Sequence, residues 1–149
     1  MPKILRQTDV ISRCGNLFRA DRLKENELCE GLCSWHLSYI IPIAHHPGIS
    51  AEELGRHVFV NKSNIARNLS HLEEDGFITR EQSRKDKRIL CCYPTEKLNA
   101  VLPAVMQATN EWNDYITEDL TPEERETFES LLAKVADRAR EYYEGRDKQ

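Results

Sequence analysis

The sequence predicts a mainly α fold carrying one small β-hairpin, an α+β arrangement, and three observations lead there. Apolar residues recur every three to four positions over six segments. Between the fourth and fifth segments lie two short β-prone stretches separated by six polar residues, Ser83 to Arg88. Helix start and stop signals stand at the segment ends that need them.

The first helix is expected over roughly Ile4 to Lys24, with Val10, Ile11, Cys14, Leu17 and Phe18 on one stripe. A second runs from Leu32 to His46 through Leu37, Tyr39, Ile40, Ile41 and Ile43; Pro47 and Gly48 end it, and Pro42 inside it is expected to kink it. The third carries the clearest start signal. Ser50 and Glu53 form an S-x-x-E capping box, Ile49 and Leu54 occupy the two hydrophobic-staple positions, and the helix ends near Val58. After the turn Phe59, Val60, a fourth helix starts at its N-cap Asn61, runs to Asp75 and stops at Gly76. Ile65, Leu69 and Leu72 form its apolar stripe, and Ser63, Asn64, Arg67, Asn68 and His71 its opposite face.

Phe77 to Gln82 and Ile89 to Tyr93 are the two strands of the hairpin, whose tip is basic. A fifth helix from Thr95 spaces Leu98, Leu102, Val105, Thr109, Trp112 and Ile116 by alternating fours and threes, with Pro103 as a point of bending. Thr121 and Glu124 make a second capping box with Pro122 at the first helical position, opening a sixth helix striped by Phe128, Leu132, Val135, Ala139 and Tyr142. Gly145 to Gln149 read as a polar tail.

With 149 residues, 40% hydrophobic and 31% charged, the chain is long enough for one core, and its composition excludes collagen-like and low-complexity classes. No apolar run reaches the ~18 residues of a membrane span, and the N-terminus lacks the pattern of a signal peptide. A cytoplasmic protein without membrane attachment is expected. The five cysteines contain no CxxC pair, which argues against a disulfide framework or a zinc knuckle, and no cofactor is expected. No GxSxG, HExxH, Walker A or GxGxxG pattern occurs, so no catalytic role is expected.

A formal charge of -4 hides an uneven distribution. Asn61 to Arg88 holds seven Lys or Arg, Lys62 among them, against five acids, while the rest of the chain holds fourteen against twenty. Short polar and amide side chains with Arg67 on one helix face are the groups that match base edges: Asn pairs two-fold with adenine, Arg with guanine, Ser with either. On the hairpin tip, Arg84, Lys85, Lys87 and Arg88 surround only Asp86. Four cations crowded together repel one another, and a phosphate backbone or a narrow minor groove relieves that repulsion. A short capped helix, a tight turn, a second helix with this face and then a basic hairpin compose a winged helix-turn-helix, and the partner expected is double-stranded DNA.

In this order and spacing, Leu32 to Leu98 resembles the DNA-binding core of the MarR (multiple antibiotic resistance regulator) family. The residues that carry the resemblance are HPGIS at His46 to Ser50, VNKSNIARNLSHLEEDGFITR at Val60 to Arg80, the pair Asp86 and Arg88, and PTEKL at Pro94 to Leu98. Phe59 stands where glycine is common in such turns. The long flanking helices match the family's dimerisation helices, so the resemblance covers nearly the whole chain. It implies a dimerisation helix in residues 1–31, the winged helix-turn-helix in 32–98 and dimerisation helices in 99–149. It further implies Asn61 to Asp75 as the recognition helix in the major groove, and Arg88, oriented by Asp86, as the wing residue in the minor groove.

The apolar stripes of the first, fifth and sixth helices are too long for a small winged helix to cover, which independently suggests a homodimer. Two recognition helices one DNA turn apart, ~34 Å, would read a pseudo-palindrome with half-sites about 10 bp between centres. Repression is the outcome the resemblance implies. It also implies a small aromatic or amphipathic effector near Trp35, His36 and Tyr39, with plain packing as the other use of these rings. Cys14 lies in the first helix, where some relatives sense peroxides, and a small core residue is the alternative. A metal-sensing variant would draw on Cys29, Cys33 and His36, and Gly31 weighs against it. From another class comes a winged helix that binds protein, as an adaptor or antirepressor; Arg67, the asparagines and the cationic wing are what such a version would be expected to lose.

Overall fold

In the computed structural model, residues 3–146 are described. They form six helices and a three-stranded sheet: α1 Lys3–Lys24, α2 Ser34–His45, β1 Ile49–Ser50, α3 Ala51–Val58, α4 Lys62–Glu74, β2 Ile78–Gln82, β3 Leu90–Pro94, α5 Glu96–Thr117 and α6 Pro122–Arg146, with a 3-10 turn at Glu27–Cys29. The chain divides into two compact units that meet at Trp112 and Asn113, inside α5.

The local signals act where the sequence has them. Glu53 N–H donates to Ser50 Oγ at 3.2 Å and Ser50 N–H to Glu53 Oε2 at 2.8 Å, closing the capping box of α3, and both staple residues, Ile49 and Leu54, are buried. Asn61 Oδ1 accepts from Asn64 N–H at 3.0 Å to start α4, and Gly76, at φ 78°, ends it in the left-handed conformation that only glycine adopts without strain. Helix α2 continues through Pro42 to His45.

One strand was not expected. Ile49 and Ser50 pair with Cys92 and Cys91, making an antiparallel sheet in the order β1-β3-β2 where a hairpin alone was predicted. In the same register Arg80 faces Cys92 across β2 and β3, so Cys92 sits in the middle of the sheet; burial pushes its thiol up to about 11. Phe77 precedes β2 instead of opening it, and packs fully buried. The core of the first unit gathers Leu37, Ile40 and Ile43 of α2, Leu54 of α3, Ile65, Leu69 and Leu72 of α4, and Leu98, Val101 and Val105 of α5. Each such side chain contributes about 1.5–3 kcal/mol of apolar burial.

Helix α1 packs along one edge of the expected stripe, through Phe18 and the neighbouring Gly15, and not through the stripe as a whole. Gly15 is buried because Trp112 lies against it: a Cβ there would meet the indole Nε1 at 2.8 Å. Phe18 meets the same indole at 5.5 Å between ring centroids. Val10, Ile11, Cys14 and Leu17 are exposed in the single chain, a correction to the reading of Cys14 as a small core residue. In the second unit, Glu124 N–H donates to Thr121 Oγ1 at 3.2 Å and Thr121 N–H to Glu124 Oε2 at 2.9 Å, completing the second capping box. Arg125 reaches back to the Thr117 carbonyl at 3.1 Å, and no residue of α6 is buried. Helix α6 runs past Gly145 to Arg146; the rest of the expected polar tail, like Met1 and Pro2, lies outside the described residues.

Among the described residues no helix is long and apolar enough to cross a membrane, and no three His, Cys, Asp or Glu side chains are arranged to hold a metal ion.

Candidate nucleic-acid interface

The interface is built on α4 and the wing between β2 and β3. Lys62, Ser63, Arg67 and His71 are exposed along α4, and Asn64 is partly so. A short run of side-chain hydrogen bonds orders them. Ser63 Oγ donates to Asn61 Oδ1 at 2.9 Å, and Arg67 Nη2 donates to Asn64 Oδ1 at 3.2 Å. The guanidinium is thus held by one neighbour and otherwise free to meet a base edge. Ala66, which the sequence reading does not single out, is also exposed between Ser63 and Arg67, and an alanine methyl is a group that can pack against a thymine methyl.

Asn68 departs from the expected face. Its amide donates to the Tyr39 hydroxyl at 2.7 Å, beneath the surface. At about 100° per residue, Asn68 lies roughly 65° from the centre of the Ile65, Leu69, Leu72 stripe, whereas Arg67 lies roughly 165° from it. The helical angle therefore separates Asn68 from Arg67 and is the signal in the sequence for its inward bond. Tyr39 is correspondingly buried, its hydroxyl occupied.

At the far end of α4, His36 of α2 is buried between rings: Trp35 stacks on it at 4.0 Å and Phe77 lies edge-on at 5.5 Å. His36 Nδ1 accepts from the Cys33 N–H at 2.8 Å, which leaves Nε2 to donate to Asp75 Oδ2 at 3.3 Å. Burial holds the His36 imidazole below its ordinary range, against the opposing pull of Asp75. Lys97 caps the Asp75 carbonyl at 2.7 Å. Trp35 and His36, together with Arg67, Asn68 and His71, line an open hollow of about 510 Å³. Two of the three expected effector residues therefore border a cavity beside α4, and Tyr39 does not.

The wing tip presents Arg84, Lys85, Lys87 and Arg88 to solvent. Asp86 accepts both Nε and Nη2 of Arg88, at 3.1 and 3.0 Å, and the Arg88 backbone N–H at 3.0 Å. Such a bidentate grip fixes the direction of one guanidinium while three cations stay free around it. The same pairing lowers the Asp86 carboxyl below its usual range and raises Arg88. Ser83 closes the turn by accepting the Lys85 N–H at 3.2 Å. Arg80, counted with the basic residues of this segment, is instead tied to Glu73 at 2.6 Å and pins β2 to α4.

The comparisons agree with this geometry. Residues 36–90 match the model of the MarR family. The chain is 30% identical over 135 residues to the uncharacterized HTH-type transcriptional regulator YybA of Bacillus subtilis, covering 91% of this chain and 87% of that one. Among solved structures, the transcriptional regulator SlyA superimposes with a TM-score of 0.84 at 26% identity, over 96% of this chain and 98% of its own. The fold is shared too with a MarR family regulator of Listeria monocytogenes solved in complex with a 26-mer DNA, at a TM-score of 0.84, 24% identity, and 99% and 96% coverage. With α4 and the wing in place and a relative of this identity matched nearly end to end, the chain belongs to the MarR family.

Proposed function

We propose that this chain is a sequence-specific DNA-binding transcriptional regulator, acting as a homodimer with α4 in the major groove and the wing against the minor groove. One observation carries the proposal: the exposed donors and acceptors of α4 and the Arg88 guanidinium aimed by Asp86 belong to one basic segment of the chain. Arg67, Asn64 and Ser63 would read base edges, and His71 would lie at the margin of that surface. Lys62, Arg84, Lys85 and Lys87 would neutralise phosphates, giving binding that weakens steeply with salt. The fold is held in common with a regulator solved on DNA, which supports the same docking.

A homodimer accounts for the apolar side chains left exposed on α1 and α6, Leu17, Leu131, Leu132 and Val135 among them. A second copy would cover them and would place two recognition helices about 34 Å apart. The hollow beside Trp35 and His36 suits a small aromatic or amphipathic effector, since a flat ring could stack on Trp35 and engage Arg67, removing it from the DNA face. Repression, relieved by that effector, in the cytoplasm and without catalysis, completes the reading.

The test is binding of the purified protein to the DNA upstream of its own gene, against random DNA of equal length, across salt concentrations and with subunit mass in parallel. Tight, salt-sensitive and selective binding by a dimer is expected; an intact dimer with no preference for any upstream fragment would point to a protein-binding adaptor. Arg67→Ala should cost about 1–3 kcal/mol on the selected site and relax one base pair, whereas Lys85→Ala should weaken all sequences and flatten the salt slope. Equal effects of both variants on specific and random DNA would refute these roles.

A further inference from the structure

Two hydrogen bonds tie the start of α2 to α4. His36 Nε2 meets Asp75 Oδ2 at 3.3 Å, and the Asn68 amide meets the Tyr39 hydroxyl at 2.7 Å. Residue 36 pairs with 75 and residue 39 with 68, so the helices run in opposite directions here. The links hold α4 at two points about 10 Å apart along its axis. A rod held at one point pivots; held at two, it keeps its tilt. Open space lies beside these links, for Asn68, His36 and Asp75 all border the hollow next to α4.

We infer that Tyr39 and Asn68 are positioning residues for DNA recognition: their hydrogen bond sets the pose of α4 in the groove and withholds the Asn68 amide from the bases. The inference rests on reading α4 as the recognition helix. An asparagine that reads adenine presents its amide nitrogen and oxygen together to the base edge. Here the nitrogen is engaged beneath the surface, and the side chain leaves the helix close to its buried stripe. Swinging Asn68 to the DNA would break that bond and strand a hydroxyl on a residue only 3% exposed, which is a costly place for an unpaired polar group. Arg67, one position along, has no comparable anchor. Adjacent residues therefore divide the work, Arg67 facing the DNA and Asn68 holding the helix that carries it.

The experiment begins with selection of duplexes from a random library by the parent protein. Failure to enrich any sequence would overturn the DNA reading and this inference together. With an operator in hand, Tyr39→Phe, Asn68→Ala and the double variant are measured on it, on each of its single-base variants and on random duplex, alongside thermal unfolding. Each single variant should weaken operator binding about 3- to 10-fold, evenly across base positions, with random duplex changed by less than about 2-fold. The double variant should lose no more than either single one, because both remove the same bond. A loss confined to one base pair in Asn68→Ala and absent in Tyr39→Phe would make Asn68 a base reader and overturn the inference. Additive losses, unchanged operator binding by Tyr39→Phe, or a parallel fall of both affinities with the melting temperature would overturn it as well. Tyr39→Phe keeps the buried ring, so that arm does not depend on Asn68→Ala folding.

Discussion

Helices α4 and α6 carry apolar residues at the same spacing, yet the chain treats them differently. Ile65, Leu69 and Leu72 of α4 are buried within a few percent of completely, whereas Leu132 and Val135 of α6 are 47% and 55% exposed. Helical period tells which face of a helix avoids water; it is silent on whether the same chain supplies the cover. In α4 the cover comes from elements close in sequence, α3 and β2. For α6 no residue is buried in the single chain, and a second copy is the cover proposed.

The largest expected effect breaks this comparison directly, by the same substitution in both helices. Leu72→Ala should cost about 2–5 kcal/mol of folding stability, since the cavity it opens is walled by packed neighbours. Leu132→Ala should leave the secondary structure intact and instead weaken subunit association, visible as a thermal midpoint that depends more steeply on protein concentration. If Leu132→Ala unfolds at the parent's midpoint at every concentration, the α6 stripe is not an interface and the dimer must be held elsewhere.

The same contrast governs what was legible in the sequence. Caps were: Ser50 with Glu53, Asn61 with the Asn64 N–H, and Thr121 with Glu124 each use groups within a few residues, so a short window contains the whole interaction. The wing pair Asp86 and Arg88 was read from the family resemblance, and its bond too spans only two residues. Strand β1 was not, because two residues at Ile49 and Ser50 become a strand only through Cys92 and Cys91, far along the chain. The bond of Asn68 was not legible either, because its partner Tyr39 lies 29 positions away, although its angle on the helix lies near the buried stripe. For α1, the stripe was visible and its burial was not: of that stripe Phe18 meets Trp112, and the other contact is Gly15, a residue that apolar periodicity ignores.

A smaller effect probes how firmly α4 is held at its end. Burial keeps His36 below its ordinary value of 6.5 in the folded chain, and Nδ1 is already occupied by the Cys33 N–H, so the unfolded chain takes up this proton more readily. Asp75 opposes that effect and His71 reinforces it. The stability His36 contributes is therefore fully present above 6.5 and is lost as the pH falls below it toward the folded value. In His36→Gln the acceptor for the Cys33 N–H survives without a titrating ring. Unfolding free energies measured from neutral to mildly acidic pH should then decline less steeply in His36→Gln than in the parent. Parallel curves would mean that another group sets the acid sensitivity.

The smallest effect concerns the turn into α4, where Phe59 holds φ 54° and ψ 39° and donates its N–H to the Gly55 carbonyl at 3.0 Å. A side chain in this left-handed conformation costs about 1–2 kcal/mol that glycine avoids. Phe59→Gly alone would mix that relief with the loss of a half-covered ring and with the greater freedom of glycine in the unfolded chain. Phe59→Ala loses the same ring and keeps the strain. Comparing the two variants removes the ring from the question, and Phe59→Gly should be the more stable by about 1 kcal/mol or less, the relief outweighing the unfolded-state term. A gap of that sign means that α3 and α4 hold the turn in place whatever residue occupies it, as expected for a segment whose stripe is buried on both sides of the turn. If Phe59→Ala equals or exceeds Phe59→Gly, the turn moves out of the left-handed region when the ring is gone. The phenylalanine itself would then be what sets the angle at which α4 leaves the core.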